Sequence, residues 1–307
     1  MPKHEQGRNS RRRPDPASFE KITIHGLKLN EESPMNYQTF PAHTDLSSFV
    51  KCYWILEVPL QQDVEKQLIV PDGCIEMFFI LGDDVKRFTS DNDYIIQPRE
   101  MVLGQITEPF YVQPAGHVNT FAVRFYPYGF SNFVLCSIKD LANKETPLAA
   151  LFGAEAATTL ANDIRRAADT LKRIEIVEAF LLQRLTDSVT VDGIVKQTID
   201  AIFCSGGAAS INSILKDDPS KRRQLERKFM KQVGVSPKQL GKMIRLQSAL
   251  KILLNQQAGS LTEIAYESDY YDQAHFIKDF KDFTGTTPRA FLGDAAMTLS
   301  SVFYKED

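Results

Sequence analysis

An internal repeat constrains this chain more than any other feature. Arg227, Phe229, Gly234 and Pro237 are each followed 51 residues later by a matching type, namely Lys278, Phe280, Gly285 and Pro288, and Leu225 and Phe276 keep the same spacing. Upstream the offset falls to 50, pairing Ile214-Leu215 with Ile264-Ala265, so a turn is one residue longer in the second copy. A short helical unit cannot bury its apolar face alone, so a recurrence at this period implies two copies packed side by side.

Each copy reads as helix, short turn, helix and a capped stop. In the second, Ser260 and Glu263 form a capping box that starts a helix over Leu261–Ser268. Asp269 to Tyr271 make the turn, with Asp269 at a bend where positive φ is wanted. Asp272 caps a second helix whose Phe276, Phe280 and Phe283 share one face, leaving Gln273, Ala274, Ile277, Lys278 and Lys281 elsewhere on its surface, and Gly285 ends it. In the first copy Leu225, Phe229 and Val233 point inward, while Arg222, Arg223, Glu226 and Arg227 form an exposed reading face. Ser236-Pro237 and Thr287-Pro288 repeat the cap-plus-Pro start of the next helix, which after Pro237 runs to about Asn255.

The stretch from Lys221 to Lys251 holds ten Lys/Arg against the single acid Glu226, formally +9 in a chain of −3, so the remainder carries −12. A local concentration of this kind faces a polyanion, although charge alone also fits a solvated helix face. The runs RQLERKF, GVSPKQL, RLQSALKILL and LTEIAYESDYYDQAHFIKDFKDFTGTTPRAF resemble the AraC/XylS-type DNA-binding domain, two helix-turn-helix units joined by a long helix. The resemblance spans roughly residues 190–292. It departs from the family's usual pattern at Asp269 (usually Gly), at Leu215 (commonly Ala) and at Pro219 in the first turn. It implies a bacterial, cytoplasmic, sequence-specific transcription regulator that reads duplex DNA through Arg222, Arg223, Glu226, Arg227, Gln273, Ala274 and Lys278. RNA polymerase, a small-molecule effector and a second copy of the chain are further candidate partners.

Ahead of this module the composition changes. Runs such as FVKCYWILEV, CIEMFFIL, YVQ and TFAVRFYPYGF, separated by PDG, GDD and QPAG, are strand signals and predict an antiparallel, barrel-like β domain over residues 20–140. The segments IVPDGCIEMFF, VLGQITEPFYV and TFAVRFYPYGF resemble an uncharacterised β domain often found before this DNA-binding module, which implies effector sensing or dimerisation. Asp72, Glu76, Gln105, His117, Arg124 and Tyr126 are polar groups set in apolar strands and are the candidate effector-pocket residues. The alternative is that Asp72 merely caps a turn and Arg124 lies at a solvated rim. Trp54 reads as a core aromatic.

The fold expected is therefore α+β: a basic arm over 1–19, the β domain, a helical connector over 141–189, an all-α DNA-binding domain over 190–292 and a tail over 293–307. Residues 146–186 are rich in helix formers, and Leu160, Ile164, Ala167, Leu171, Ile174, Leu181 and Leu185 follow a 3-4 spacing broken at Glu178. These helices either pair between two copies or pack on the chain's own β domain. A hinge is expected over 186–191, then a helix from Asp192 to Cys204 interrupted by Ser205-Gly206-Gly207.

No apolar run is long enough to span a bilayer, and the polar start is neither signal peptide nor anchor. Cys52, Cys74, Cys136 and Cys204 lie far apart among apolar neighbours and read as reduced core residues. His25, His43 and His117 are too scattered for a cupin-like metal centre, and no phosphate loop, nucleophile elbow or HExxH pattern is present, so neither enzyme, metal nor cofactor is expected.

Overall fold

The computed structural model describes residues 35–60, 65–185, 191–215, 218–255 and 260–292. The arm expected over 1–19 and the tail over 293–307 lie outside the described residues, as does the expected hinge up to residue 190.

Among the described residues the N-terminal half contains ten strands: β1 (Asn36–Phe40), β2 (Val50–Val58), β3 (Gln67–Ile69), β4 (Ile75–Ile80), β5 (Val85–Phe88), β6 (Tyr94–Ile96), β7 (Glu100–Leu103), β8 (Phe110–Pro114), β9 (Val118–Phe125) and β10 (Glu145–Pro147). They form two antiparallel sheets, one in the order β1-β2-β9-β4-β7-β10 and the other β3-β8-β5-β6. Both faces of the larger sheet are covered. Tyr53, Ile55, Met77, Phe79, Phe121 and Val123 point one way, into a core shared with the helices that follow. Trp54, Leu56 and Ala122, the alternate residues of the same strands, point the other way. Strand β9 ends at Phe125 and does not run on to Phe130: Pro127 has no N–H to give a ladder, and Gly129–Asn132 forms a 3-10 turn.

Helices α1 (Leu148–Phe152), α2 (Ala154–Arg166) and α3 (Thr170–Leu182) pack on that first face through Leu160, Ile164, Ile174, Val177 and Leu181. Of the two arrangements open to these helices, the structure shows packing on the chain's own β domain. Glu178 breaks the apolar stripe because its carboxylate accepts the Tyr53 hydroxyl at 3.1 Å and the His43 backbone N–H at 2.9 Å. Burial, and then the Glu178 charge, push the Tyr53 phenol well above its usual range.

The C-terminal half comprises α4 (Gly193–Cys204), α5 (Ile211–Ile214), α6 (Pro219–Gln232), α7 (Pro237–Leu254), α8 (Leu261–Glu267), α9 (Gln273–Thr284) and α10 (Pro288–Phe291). The repeat predicted from the sequence is built into its core: Leu225 and Phe276, and Phe229 and Phe280, are all fully buried. Gly234 and Gly285 both hold positive φ, at 89° and 73°. Asp269 sits at φ 57°, in the left-handed region that Asp tolerates. The capping boxes of Ser236 with Gln239 and Ser260 with Glu263 start α7 and α8. Pro219, expected within a turn, is instead the first residue of α6, behind the cap Asp218, where a missing N–H costs nothing.

The cysteines depart from expectation. Cys52 and Cys74 are half-buried, whereas Cys136 and Cys204 are exposed, because they lie in a loop and at the last residue of α4, where no layer covers them.

The two halves share a core: Leu68 and Val70 of the β domain pack with α7 and its neighbours. Gln247 on α7 donates to the Pro71 carbonyl at 2.7 Å, and a Cβ on Gly73 would lie 2.9 Å from Leu240 of α7. Within the helical half, Gly207 at φ 90° lets the chain after α4 touch α7, and a Cβ there would meet the Gly241 carbonyl oxygen at 2.2 Å. Gly207→Ala is therefore expected to destabilise the helical half by about 2 kcal/mol or more, read as a lower urea midpoint.

Candidate nucleic-acid interface

Helix α6 buries Leu225, Phe229 and Val233 and leaves Arg222, Arg223, Glu226 and Arg227 exposed, as 3.6 residues per turn require. In α9, Ala274 and Lys278 are exposed and Gln273, its first residue, is half-buried. The 51-residue register makes Arg222 the equivalent of Gln273, Arg223 of Ala274 and Arg227 of Lys278. The same outward face is thus presented twice, on α6 and on α9, joined by α7, which at about 1.5 Å per residue spans roughly 27 Å. Ile277, expected on the surface, is half-buried against the core.

The basic stretch is less uniform than its sequence. Lys228 pairs with Asp192 at the start of α4, Lys242 pairs with Asp279 at 2.8 Å, and Arg245 donates to the Gly207 carbonyl while lying over the Tyr270 ring. The Lys228 ammonium holds the Asp192 carboxyl below its ordinary value. These three cations hold helices together, leaving Arg223, Arg227, Lys231, Lys238 and Lys251 among the exposed positive charges. Asp279 escaped sequence reasoning altogether: it lies on the inner side of α9, only 2% exposed, and ties that helix to α7.

In the β domain the expected pocket residues separate. Glu76 and Arg124 are direct cross-strand partners on β4 and β9, and both project from the same face as Trp54. Arg124 Nε donates to Glu76 Oε1 at 2.7 Å, Trp54 Nε1 donates to the same oxygen at 2.9 Å, and Asp72 Oδ2 lies 3.7 Å from Arg124 Nη2. Arg124 is 2% exposed, so it is no rim residue, and Trp54 joins the polar cluster as well as the core. Asp72 also accepts the Cys74 N–H, capping the Pro71-Asp72-Gly73 turn, and Gln105 donates to the Gly73 carbonyl at 2.8 Å, so four of the six residues surround that turn. His117 does not join them. It is exposed in the β8–β9 turn, at the opposite end of β9 from Arg124, with its backbone N–H on Asp83. Tyr126, beyond the end of β9, stacks on Tyr128 instead. Parity along a strand could have grouped Glu76, Arg124 and Trp54, but only the pairing register brings them together.

Burial, opposed by Arg124 and reinforced by Asp72, raises the Glu76 carboxyl above its ordinary value. A carboxyl raised on folding makes stability fall as pH climbs from its unfolded value to its folded one. Arg124→Met would strip the counter-charge and is expected to cost about 3–5 kcal/mol at neutral pH. The deficit should narrow as pH falls and Glu76 takes up its proton, which urea unfolding across pH would show.

Among the described residues, no group of three or more His, Cys, Asp or Glu could hold a metal ion, and no helix is long and apolar enough to cross a membrane. Residues 220–294 match the family model of a helix-turn-helix domain, and residues 38–147 match that of a domain of unknown function. No curated protein sequence matches the chain. Among solved structures, ToxT from Vibrio cholerae is 17% identical, covering 80% of this chain and 98% of that one at a TM-score of 0.42. ToxT bound to (E)-4-(8-methylnaphthalen-1-yl)but-3-enoic acid gives 14%, 84%, 98% and 0.43. A cupin domain of Cnp3 from Schizosaccharomyces pombe gives 13%, 30%, 61% and 0.22. The chain thus joins an antiparallel β domain of unknown function to an AraC-type helix-turn-helix domain, the module of a DNA-binding transcription regulator.

Proposed function

We propose that the protein binds two tandem subsites on duplex DNA, with α6 and α9 as recognition helices in successive major grooves on one face. The observation that carries this reading is the repeated outward face: Arg222, Arg223 and Arg227 in the first unit stand in register with Gln273, Ala274 and Lys278 in the second. Successive grooves on one face lie about 34 Å apart, and the units repeat head to tail along the chain, so the subsites are about 10 base pairs apart in the same orientation. Arg222 and Arg227 suit guanine, and Gln273 suits adenine. On this reading the DNA-binding domain runs from α4 to α10, because α4 packs on α7.

The N-terminal β domain is read as the control element, with an effector bound near the Arg124 cluster. What favours this over a purely dimerising role is continuity. The Pro71-Asp72-Gly73 turn is held from below by Arg124 and Gln105 and from above by Gln247 and Leu240 of α7, so a ligand that moved the turn would bear on the helix between the two reading units. Dimerisation alone would change the sedimentation of the protein without any ligand-dependent shift in operator affinity.

Footprinting on the protein's own upstream DNA tests the tandem reading. Inserting about five base pairs between subsites rotates one by half a turn and should shorten the footprint to a single subsite. An unchanged footprint would mean that one unit binds alone. With several of the basic residues committed to internal pairs, the slope of log K against log salt should be about −3 to −5, reflecting some four or five phosphate contacts at about −0.9 each. Arg227→Ala should cost about 1–3 kcal/mol on the operator and relax preference at one base position.

A further inference from the structure

The repeat extends to a side-chain contact that the reading faces alone do not reveal. In the first unit Arg222 Nη1 donates to Asn212 Oδ1 at 3.2 Å. In the second, Thr262 Oγ1 donates to Gln273 Oε1 at 2.8 Å. Arg222 and Gln273 are equivalent at the 51-residue offset, and Asn212 and Thr262 at the 50-residue offset that holds upstream of the turn. Each of the latter is the second residue of its helix, behind an N-cap serine, Ser210 or Ser260, whose hydroxyl accepts a backbone N–H. Two different residue pairs therefore bridge the same two helix positions in both copies, Arg222 as donor in the first and Gln273 as acceptor in the second.

We infer that Asn212 and Thr262 are positioning residues for DNA reading, each holding the first base-reading side chain of its unit in the conformation that enters the groove. This rests on the reading of α6 and α9 as recognition helices. Arg and Gln on an exposed face sample many rotamers, and freezing them on binding costs conformational entropy. A bond formed before DNA arrives removes part of that cost. Thr262 is suited to the task because its β-branched side chain is stiff at χ1.

The bonds leave the reading atoms available. With Nη1 bonded to Asn212 and Nε to Glu226 at 3.3 Å, Arg222 keeps one Nη1–H and both Nη2–H donors for the O6 and N7 acceptors of guanine. With one lone pair of Oε1 taken by Thr262, Gln273 keeps an acceptor for the N6 amino group of adenine and a donor for its N7. The opposite orientation of the amide would leave the same pair. Sequence reasoning could not find these residues, because Asn and Thr near the start of a helix carry no signal beyond capping.

The test is selection from a randomised duplex library by the full-length protein, comparing wild type with Asn212→Ala, Thr262→Val, Thr262→Ser and Gln273→Ala. Wild type should enrich two groups of positions about 10 base pairs apart. Thr262→Val keeps the shape and branching of threonine, and should weaken preference about fivefold at the one position that Gln273→Ala also flattens, the effect of one neutral hydrogen bond. Thr262→Ser should restore it, and Asn212→Ala should weaken one position in the other group. A loss spread equally over all positions would show a structural or phosphate role and overturn the inference, as would enriched positions that Thr262→Val and Asn212→Ala both leave intact. A wild-type pool with no enriched positions would instead overturn the DNA-reading proposal, and this inference with it.

Discussion

The apolar face of α7 is the constraint on which the rest of the molecule depends. Leu240, Met243, Leu246, Ala249, Leu250 and Leu253 are buried along one helix, and each large aliphatic or Met side chain so buried contributes about 1.5–3 kcal/mol relative to exposure. Against that face lie α4 and, from the second unit, α8 and α9, with Leu68 and Val70 of the β domain joining the same core. Helix α7 thus joins the two helical units and carries one contact with the N-terminal half, a second being made by Ile138 against Gly234 after α6. Its polar side contributes as well: Lys242 holds α9 through Asp279, Arg245 holds the turn after α4, and Gln247 holds the Pro71-Asp72-Gly73 turn.

The buried Arg124 is the second constraint, of a different kind. A buried guanidinium is costly unless it is paired, and here Glu76 accepts from it, Asp72 adds a second carboxylate at 3.7 Å and Trp54 donates to Glu76. Two apolar residues in register could have filled the same space. A cluster that instead places two carboxylates around one cation beside the turn touching α7 makes the geometry of that turn depend on charge. Leu240 is packed closely enough against Gly73 that a sub-ångström change in the turn is felt by α7.

Local pattern was sufficient for much of the helical half. Capping by Ser260, Asp272 and Ser236, the stop at Gly285, the bend at Asp269 and the inward Phe276 and Phe280 follow from side-chain chemistry within a few residues of each position. The β half was legible only coarsely. Apolar runs bounded by Gly, Pro and Asp marked β2, β4 and β9, but Phe125 as the end of β9 and the separation of His117 from Arg124 depend on where the chain turns. The cysteines misled for a related reason: apolar neighbours in sequence do not decide whether another layer covers a residue, and none covers Cys136 or Cys204.

What the sequence by itself determined is the pair of helix-turn-helix units and their outward faces, because a period of 3.6 residues and a fixed repeat offset are properties of the chain alone. Tertiary structure alone decided that Glu76 lies opposite Arg124, that Lys228 and Lys242 are spent on internal pairs, that Gln247 reaches the Pro71 carbonyl, and that Asn212 and Thr262 hold Arg222 and Gln273. The physical reason is that strand register and helix docking bring together residues distant in the chain, and no local periodicity encodes which pair will meet.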